Sequence, residues 1–340
     1  MNAATAPRRI AVLGMGGTIA SLGPTPFDQM DYPEYGTRLT VAEILERMPE
    51  ASVLADLVPI DVTNVASTAV TTADWLELRQ KIADVAEEGF DGALVLHGTS
   101  TLEETAYFLS LTLATAMPVA VVGAQRPLGT VGSDAFMNVI QAIRTLISDE
   151  APKAGVVVVM NDAVHAAREA RKNANFRLDT FESGAAGLLA SVDGDTVHWF
   201  RTPRTRHTTA SEFSALSPTA LVALTQTRVD VFYTHAGSDA LHIEASVAAG
   251  ASGLVSAGAA PGIATPAQND AMIAAVAAGV AVVQSSRVSR DRVPHRAAHP
   301  AFGLIAGDDL SPAKCRVLLL VALAAGVRDR GELVRIFDTY

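Results

Sequence analysis

The stretch RRIAVLGMGGTIA, residues 8–20, joins a short apolar run to a glycine-rich turn that carries Thr18. The apolar run is typical of a buried strand, and the glycines after it allow a tight turn and a close approach of the backbone. A turn of this kind has two common uses: it cradles the pyrophosphate of a dinucleotide, or it exposes a nucleophile at the edge of a sheet. Thr18 is then either a spacer or the reacting group.

The dinucleotide interpretation fits the sequence poorly. Residues 14–19 supply the first two glycines of a G-x-G-x-x-G pattern, but Ile19 stands where close packing between helix and strand requires a small residue. The next residues, SLGPTPFDQMDYPEYG at 21–36, form a proline-broken loop and not a helix whose N-terminus would hold phosphate. The sequence therefore favours the second use.

Outward from this stretch, short β-branched runs alternate with helical patterns. The strand candidates are RRIAVLG, SVLADLVPIDV, GALVLHG, PVAVVGA and AGVVVVMND. Continuous apolar strands that alternate with helices predict an α/β fold, in which a large, mostly parallel sheet is flanked by helices. The polar, proline-bearing stretch 201–218 interrupts the pattern. It predicts a linker between a large N-terminal α/β domain, residues 1–200, and a smaller C-terminal α/β domain, residues 219–340.

Composition and charge exclude several classes of protein. The chain has 340 residues, of which 49% are hydrophobic, and a formal net charge of −10. This charge argues against nucleic acid as a partner, because a phosphate backbone binds clustered lysine and arginine. No segment reaches the roughly 18–20 apolar residues of a membrane span, and the start, MNAATAPRRIAVLG, has no hydrophobic signal core. The single cysteine, Cys315, leaves no internal disulfide. We therefore expect a soluble, cytoplasmic protein without a membrane partner.

Hydroxyl side chains follow several of the predicted strands, whose carboxyl ends are where ligands bind in such sheets. A threonine hydroxyl is a weak nucleophile until a neighbour removes its proton, and a lysine accepts a proton only when burial or neighbouring charge lowers its pKa. His97 directly follows an apolar strand and is expected to be a packing residue rather than a general base. The turns after the first, second, third and fifth strands supply the candidates Thr18, Ser67, Thr68, Gly98, Thr99, Ser100 and Lys172.

Motifs along the whole chain, in order, resemble the bacterial L-asparaginase/glutaminase family. They are GGTIAS at 16–21, LHGTSTLEETAYFLSLTL at 96–113, VVGAQRP at 121–127, VVMND at 158–162, SSRV at 285–288 and SPAKCRVLLLVALA at 311–324. The resemblance implies the two-domain asparaginase-like fold and a small-molecule substrate, with no metal and no other cofactor. It also implies a homotetramer, built as a dimer of dimers, or a homodimer.

The resemblance also implies roles for the candidate catalytic residues. Thr18 matches the family's nucleophile, which forms an acyl-enzyme intermediate. A tyrosine on the loop after the first strand serves it; Tyr35 fits best by its distance to the next helix, and Tyr32 is the alternative. Thr99 matches the second threonine, and Lys172, in REARKN, matches its lysine partner. This pair is expected to activate the water that hydrolyses the acyl-enzyme.

The substrate-binding residues depart from the family pattern. Ser67 matches the residue that holds the substrate's carboxylate, but Thr68 stands where glutamine is common, and Ser100 replaces the aspartate that binds the α-ammonium. Pro261 and Ile263 occupy the places of an asparagine loop, and SRDRVPHRAAHP at 289–300 has no clear counterpart of a further acidic residue. Loss of a buried carboxylate partner costs about 3–5 kcal/mol, more than the roughly 1 kcal/mol of a serine hydrogen bond. These departures favour a substrate without a free α-amino group.

Three functions remain open on the sequence alone. The first is an asparaginase-like hydrolase of a small carboxylate-containing amide, either asparagine or an amide that lacks the α-amino group. The second is a lactonase, thiolactonase or esterase that uses the same Thr18 and Thr99–Lys172 site on an α-amino-free substrate. The third is a non-catalytic protein that binds a small ligand. The retained lysine and threonines speak against the third, because binding alone needs no activated hydroxyl.

Overall fold

The computed structural model describes residues 7–340 and divides the chain into two compact units. The first extends to Ser214, and the second runs from Ala215 to Tyr340. The division falls within the stretch 201–218 that the sequence predicts as a linker. Its first part belongs to the first unit, where Thr208 and Phe213 are buried, and Pro218 already begins a helix.

An eight-stranded sheet forms the centre of the first unit, in the order β12-β11-β8-β7-β6-β5-β1-β4. The five strands from β7 to β4 are parallel, and β8, β11 and β12 add an antiparallel edge. The strands of this unit are β1 (Arg9–Gly16), β2 (Ser21–Leu22), β3 (Thr37–Arg38), β4 (Asp56–Val65), β5 (Gly92–Leu96), β6 (Val119–Val122), β7 (Val156–Met160), β8 (Ala163–Ala166), β9 (Arg171–Lys172), β10 (Phe181–Glu182), β11 (Ala190–Asp193) and β12 (Thr196–Trp199). The mostly parallel sheet predicted from the sequence is confirmed.

Helices flank this sheet. Every residue of β5, β6 and β7 is buried, so both faces of the central strands are covered. The third helix, α3, begins with a capping box in which Thr71 and Asp74 satisfy each other's backbone N–H groups. The helices of this unit are α1 (Tyr32–Tyr35), α2 (Val41–Glu46), α3 (Thr72–Glu87), α4 (Leu102–Thr112), α5 (Ala135–Ile147) and α6 (Ala151–Ala154).

The second unit is a smaller α/β domain around a four-stranded parallel sheet, in the order β13-β14-β15-β16. The helix α11 is almost entirely buried and packs against β13, β14 and β15. Within residues 7–340 no helix is both long and apolar enough to cross a bilayer. The elements are β13 (Val229–Tyr233), β14 (Gly253–Gly258), β15 (Ala281–Ser286), β16 (Ile305–Ala306), α7 (Pro218–Gln226), α8 (Leu241–Ala248), α9 (Pro266–Ala277), α10 (His299–Phe302), α11 (Pro312–Ala324) and α12 (Arg330–Thr339).

Candidate active site

Two glycines position Thr18 directly after β1. Gly16 and Gly17 have φ values of +88° and +84°, a region that side chains rarely adopt. A Cβ atom on Gly17 would lie 2.2 Å from the Cα atom of Gly98, so the turns that carry Thr18 and Thr99 touch backbone to backbone. The glycine pair thus brings the two candidate threonines to neighbouring places at the carboxyl edge of the sheet.

Tyr32, and not Tyr35, contacts Thr18. The Tyr32 hydroxyl lies 2.7 Å from the Thr18 Oγ1 atom, at hydrogen-bond distance. Tyr35 is 77% exposed, so the expectation that it serves Thr18 is corrected. The reason lies in the loop's exit: β2 and β3 form an antiparallel ribbon that pairs Leu22 with Thr37. This ribbon fixes the chain just after α1 and leaves the Tyr35 side chain in solvent.

Lys172, Thr99 and Gln125 form a closed triangle of hydrogen bonds. The Lys172 Nζ atom lies 2.6 Å from Thr99 Oγ1 and 2.9 Å from Gln125 Oε1, and Thr99 Oγ1 donates to Gln125 Oε1 over 3.0 Å. Lys172 is placed by the two-residue strand β9, in which it pairs with Phe181 of β10. Its backbone N–H donates to the Glu103 carboxylate at 2.6 Å. This ribbon lies beyond the antiparallel strand β8, so Lys172 does not follow the fifth predicted strand directly.

Burial lowers the pKa of Lys172, and the nearby Glu103 carboxylate partly opposes this effect. Removing an ammonium from water disfavours the charged form, whereas a carboxylate favours it. A lysine whose pKa is lowered has a larger neutral fraction near pH 7 and can exchange a proton with a hydroxyl. The 2.6 Å contact with Thr99 gives such a proton a direct route.

The expected substrate-binding residues lie on the same edge of the sheet. Ser67 is buried, and a Cβ atom on Gly98 would lie 2.8 Å from Ser67 Cβ and 2.9 Å from its Oγ. The Thr101 hydroxyl donates to the Ser67 carbonyl oxygen at 2.8 Å, which ties the turn after β4 to the turn after β5. Thr68 and Ser100 are exposed neighbours of these residues. The structure therefore groups the candidates from the turns after β1, β4 and β5.

His97 is fully buried and its hydrogen bonds define a neutral ring. Its Nδ1 atom lies 2.8 Å from the Gly98 carbonyl oxygen, which can only accept, so Nδ1 carries the proton. Its Nε2 atom lies 2.9 Å from the Thr105 hydroxyl, which in turn accepts from the Trp75 indole. Burial lowers the pKa of His97 to about 4. Both ring nitrogens are engaged in hydrogen bonds within the protein. This supports the expectation that His97 is a packing residue rather than a general base.

This neutral histidine should make stability depend on pH. Between the ordinary pKa of 6.5 and about 4, the unfolded chain binds a proton at His97 that the folded protein does not. Stability therefore falls as the pH decreases through this window, by about 2 kcal/mol between pH 7 and pH 5. Urea unfolding at both pH values should show this loss reduced in a His97→Asn variant and retained in His198→Asn, which changes an exposed histidine of β12. An equal loss in all three proteins would contradict the assignment.

Sequence reasoning missed Gln125 and Glu103. Gln125 lies in the turn after β6, the fourth predicted strand, whose carboxyl end was not among the candidate turns. The rule that ligands bind at the carboxyl ends of parallel strands applies to this turn as well and would have found it. Glu103 lies in the first turn of α4, where an acidic residue commonly serves the helix dipole. Its contact with Lys172 has no signal in the sequence.

Hydroxyls paired with proton acceptors at the carboxyl edge of a parallel sheet are typical of a hydrolase. Comparison with known proteins agrees. The asparaginase N-terminal family model matches residues 9–205, and the glutaminase/asparaginase C-terminal domain model matches residues 228–337. The chain belongs to the asparaginase family and is a hydrolase that acts on amides.

Three relatives illustrate the extent of the match. L-asparaginase 2 of Escherichia coli (strain K12) is 33% identical over 342 residues, which cover 100% of this chain and 95% of that protein. A probable periplasmic L-asparaginase of Haemophilus influenzae is 31% identical and covers 95% of this chain and 90% of its own length. The crystal structure of a probable cytoplasmic L-asparaginase from Campylobacter jejuni has a TM-score of 0.92 and 31% identity, and covers 98% of this chain and 100% of that one.

Proposed function

We propose that the protein hydrolyses the ω-amide of a small carboxylate through an acyl-enzyme on Thr18. One observation carries this proposal. Two threonine hydroxyls, on turns that touch at Gly17 and Gly98, each lie within hydrogen-bond distance of a group that can take or relay a proton. Thr18 has Tyr32 as its partner, in place of Tyr35, and Thr99 has Lys172.

The reaction proceeds in two halves. In the first, the Thr18 oxygen forms a bond with the amide carbon while Tyr32 relays a proton: its oxygen accepts the Thr18 proton as its own hydroxyl proton passes to the leaving nitrogen. The carbon–nitrogen bond then breaks, and the nitrogen departs as ammonia. In the second, a water molecule loses a proton to the Thr99–Lys172 pair and attacks the acyl carbon. The carbon–oxygen bond to Thr18 then breaks, and the Thr18 oxygen recovers its proton.

The substrate we propose lacks a free α-amino group. An ammonium group would need a carboxylate close by, but the exposed residue beside Thr99 is Ser100, and the exposed residue beside Ser67 is Thr68. The carboxylate of Glu103 is already engaged by the Lys172 backbone N–H at 2.6 Å. Ser67 is buried against Gly98 and is the residue we propose for the substrate's carboxylate. Succinamate has the required carboxylate and ω-amide without the amino group.

A comparison of succinamate with asparagine tests this proposal. We expect kcat/KM for succinamate to exceed that for asparagine by about 100-fold, because the ammonium would be left without a carboxylate partner. The Ser100→Asp variant should raise kcat/KM for asparagine by about 10–100-fold, whereas Ser52→Asp, at another exposed serine, should not. Ammonia release measures all four values.

Two outcomes would contradict the proposed specificity. A wild-type preference for asparagine, with no gain in Ser100→Asp, would show that an ammonium is bound by other groups. Faster turnover of a γ-lactone than of either amide would show that the site cleaves carbon–oxygen bonds in its natural substrate.

The proposal also covers the cellular compartment and the oligomeric state of the protein. We place the protein in the cytoplasm, as the probable cytoplasmic relative is named, although a second relative is named periplasmic. Assembly as a homotetramer or homodimer is the state that the family resemblance predicts. Cell fractionation and light scattering of the purified protein test these two statements.

A further inference from the structure

We propose that Gln125 is a positioning residue for the Lys172–Thr99 pair. Its carboxamide oxygen holds the lysine amine against the threonine hydroxyl without adding a negative charge. This inference rests on the proposed function in that it assigns Gln125 to the half of the reaction that we give to Thr99 and Lys172.

The orientation of the Gln125 amide is fixed by its surroundings. The Nε2 atom donates to the carbonyl oxygens of Asn175, at 3.2 Å, and Arg177, at 3.1 Å. Carbonyl oxygens only accept, so Nε2 must face them and Oε1 must face the site. The backbone N–H of Gln125 is held as well, by the Asp134 carboxylate at 2.9 and 3.1 Å. The residue is thus anchored at both its backbone and its side chain.

The protons of the triangle can be counted. The single hydroxyl proton of Thr99 is donated to Gln125 Oε1, so Thr99 Oγ1 is the acceptor of the contact with Lys172 Nζ. A second N–H of Lys172 is donated to the same Oε1 atom. When Lys172 is neutral, rotation of the Thr99 hydroxyl from Oε1 to Nζ is enough to start proton transfer. The bond from Nζ to Gln125 keeps the amine in place during that rotation.

The side chain at position 125 contacts Lys172 Nζ directly, so its charge affects the pKa of the lysine. Both side-chain acceptors that contact Lys172 Nζ are neutral, whereas the Glu103 carboxylate is bonded to the Lys172 backbone N–H. The surrounding elements also carry Asp134, which is bonded to the Gln125 backbone, and Arg177, which pairs with Asp179. Their other charged residues are Glu104 of α4, Arg126 next to Gln125, Arg171 of β9 and Glu182 of β10. A carboxylate at the position of Oε1 would stabilise the ammonium form, and the neutral amide does not.

Two variants of Gln125 distinguish the effect of its hydrogen-bond acceptor from the effect of its lack of charge. Gln125→Met keeps the length of the side chain but removes the acceptor, and we expect kcat to fall about 10–100-fold with KM changed less than about threefold. Gln125→Glu keeps the shape but adds a carboxylate, and we expect the rise of kcat with pH to move about one pH unit higher. Gln141→Met is the matched control, because Gln141 is a buried glutamine of α5 that bonds to Asp162. It should leave the pH profile unchanged.

A titration of the lysine itself makes the test independent of turnover. The chain has four lysines, so ¹³C-lysine labelling gives a short spectrum in which Lys172 is identified by its loss in Lys172→Met. We expect the Lys172 signal to titrate about one pH unit higher in Gln125→Glu than in the wild type. An unchanged titration would overturn the inference. So would a pH profile of Gln125→Glu that superimposes on that of the wild type.

Failure of this inference and failure of the proposed function give different results. If Lys172 titrates as expected but the Thr18→Ala variant remains active, Gln125 positions the lysine and the proposed mechanism fails. If Thr18→Ala is inactive and the Gln125 variants match the wild type in kcat and in lysine titration, only the present inference fails. Should Gln125→Met prove unstable in thermal unfolding, the isosteric Gln125→Glu variant carries the test.

Discussion

Replacement of Thr18 by alanine is expected to lower kcat for the ω-amide substrate by about 10⁴-fold or more, because no acyl-enzyme can form without the hydroxyl. Within residues 7–340 the hydroxyl has one side-chain hydrogen-bond contact, with Tyr32 at 2.7 Å, and its loss should cost about 1 kcal/mol of stability at most. The variant should therefore stay folded. Ammonia release and thermal unfolding, measured on the same preparation, check both statements.

Matched variants strengthen this prediction. Thr18→Ser keeps a hydroxyl at the same place and should retain measurable turnover. Thr196→Ala removes an exposed threonine of β12 and should behave as the wild type. If Thr18→Ala kept more than a few per cent of the wild-type kcat, another group would have to be the nucleophile, and the two-step mechanism would be wrong.

Replacement of Lys172 by methionine is expected to lower kcat by about 10²–10⁴-fold, the usual contribution of a positioned acid or base. Methionine is similar in length and apolar, so it suits the half-buried position but cannot exchange a proton with Thr99. In the proposed mechanism Lys172 acts in its neutral form, so wild-type kcat should rise with pH through the pKa of this lysine, which burial lowers. In the variant that rise should disappear. Steady-state kinetics over a pH series provides the measurement.

One further variant tests whether Lys172 acts through proton exchange or through its positive charge, and a second is a control at an exposed lysine. Lys172→Arg keeps a positive charge that does not titrate in the accessible range, and it should be as inactive as Lys172→Met. Lys153→Met removes an exposed lysine that pairs with Glu150, and it should leave both kcat and the pH profile intact. A normal pH profile in Lys172→Met would show that another group controls the ionisation.

The central part of the fold follows from local patterns in the sequence. The strands β5, β6 and β7 are continuous apolar runs, and their complete burial is what such runs predict. The strands β8, β11 and β12 were not predicted. Each has four residues, and β12 has partly exposed side chains, so neither a continuous apolar run nor a long alternation marks them.

The candidate site was predictable where a residue directly follows a parallel strand, as Thr18 and Thr99 do. The site was less predictable where a residue reaches it from a loop or a short helix instead of directly after a strand. Tyr32 and Tyr35 are three residues apart in the same short helix, and the sequence alone does not distinguish the tyrosine that contacts Thr18. The role of Gln125 could not be predicted from local sequence, because its partner Lys172 lies 47 positions further along the chain.

The most direct test of the account is to find which residue becomes acylated. Lys172→Met, which should be slow to hydrolyse the acyl-enzyme, is incubated with succinamate, quenched in acid and digested for peptide mass spectrometry, with the wild type treated in parallel. We predict a succinyl ester on the peptide that contains Thr18, and none in the Thr18→Ala, Lys172→Met double variant. A succinyl ester on Thr99 or on any other residue, with Thr18 unmodified, would contradict the account.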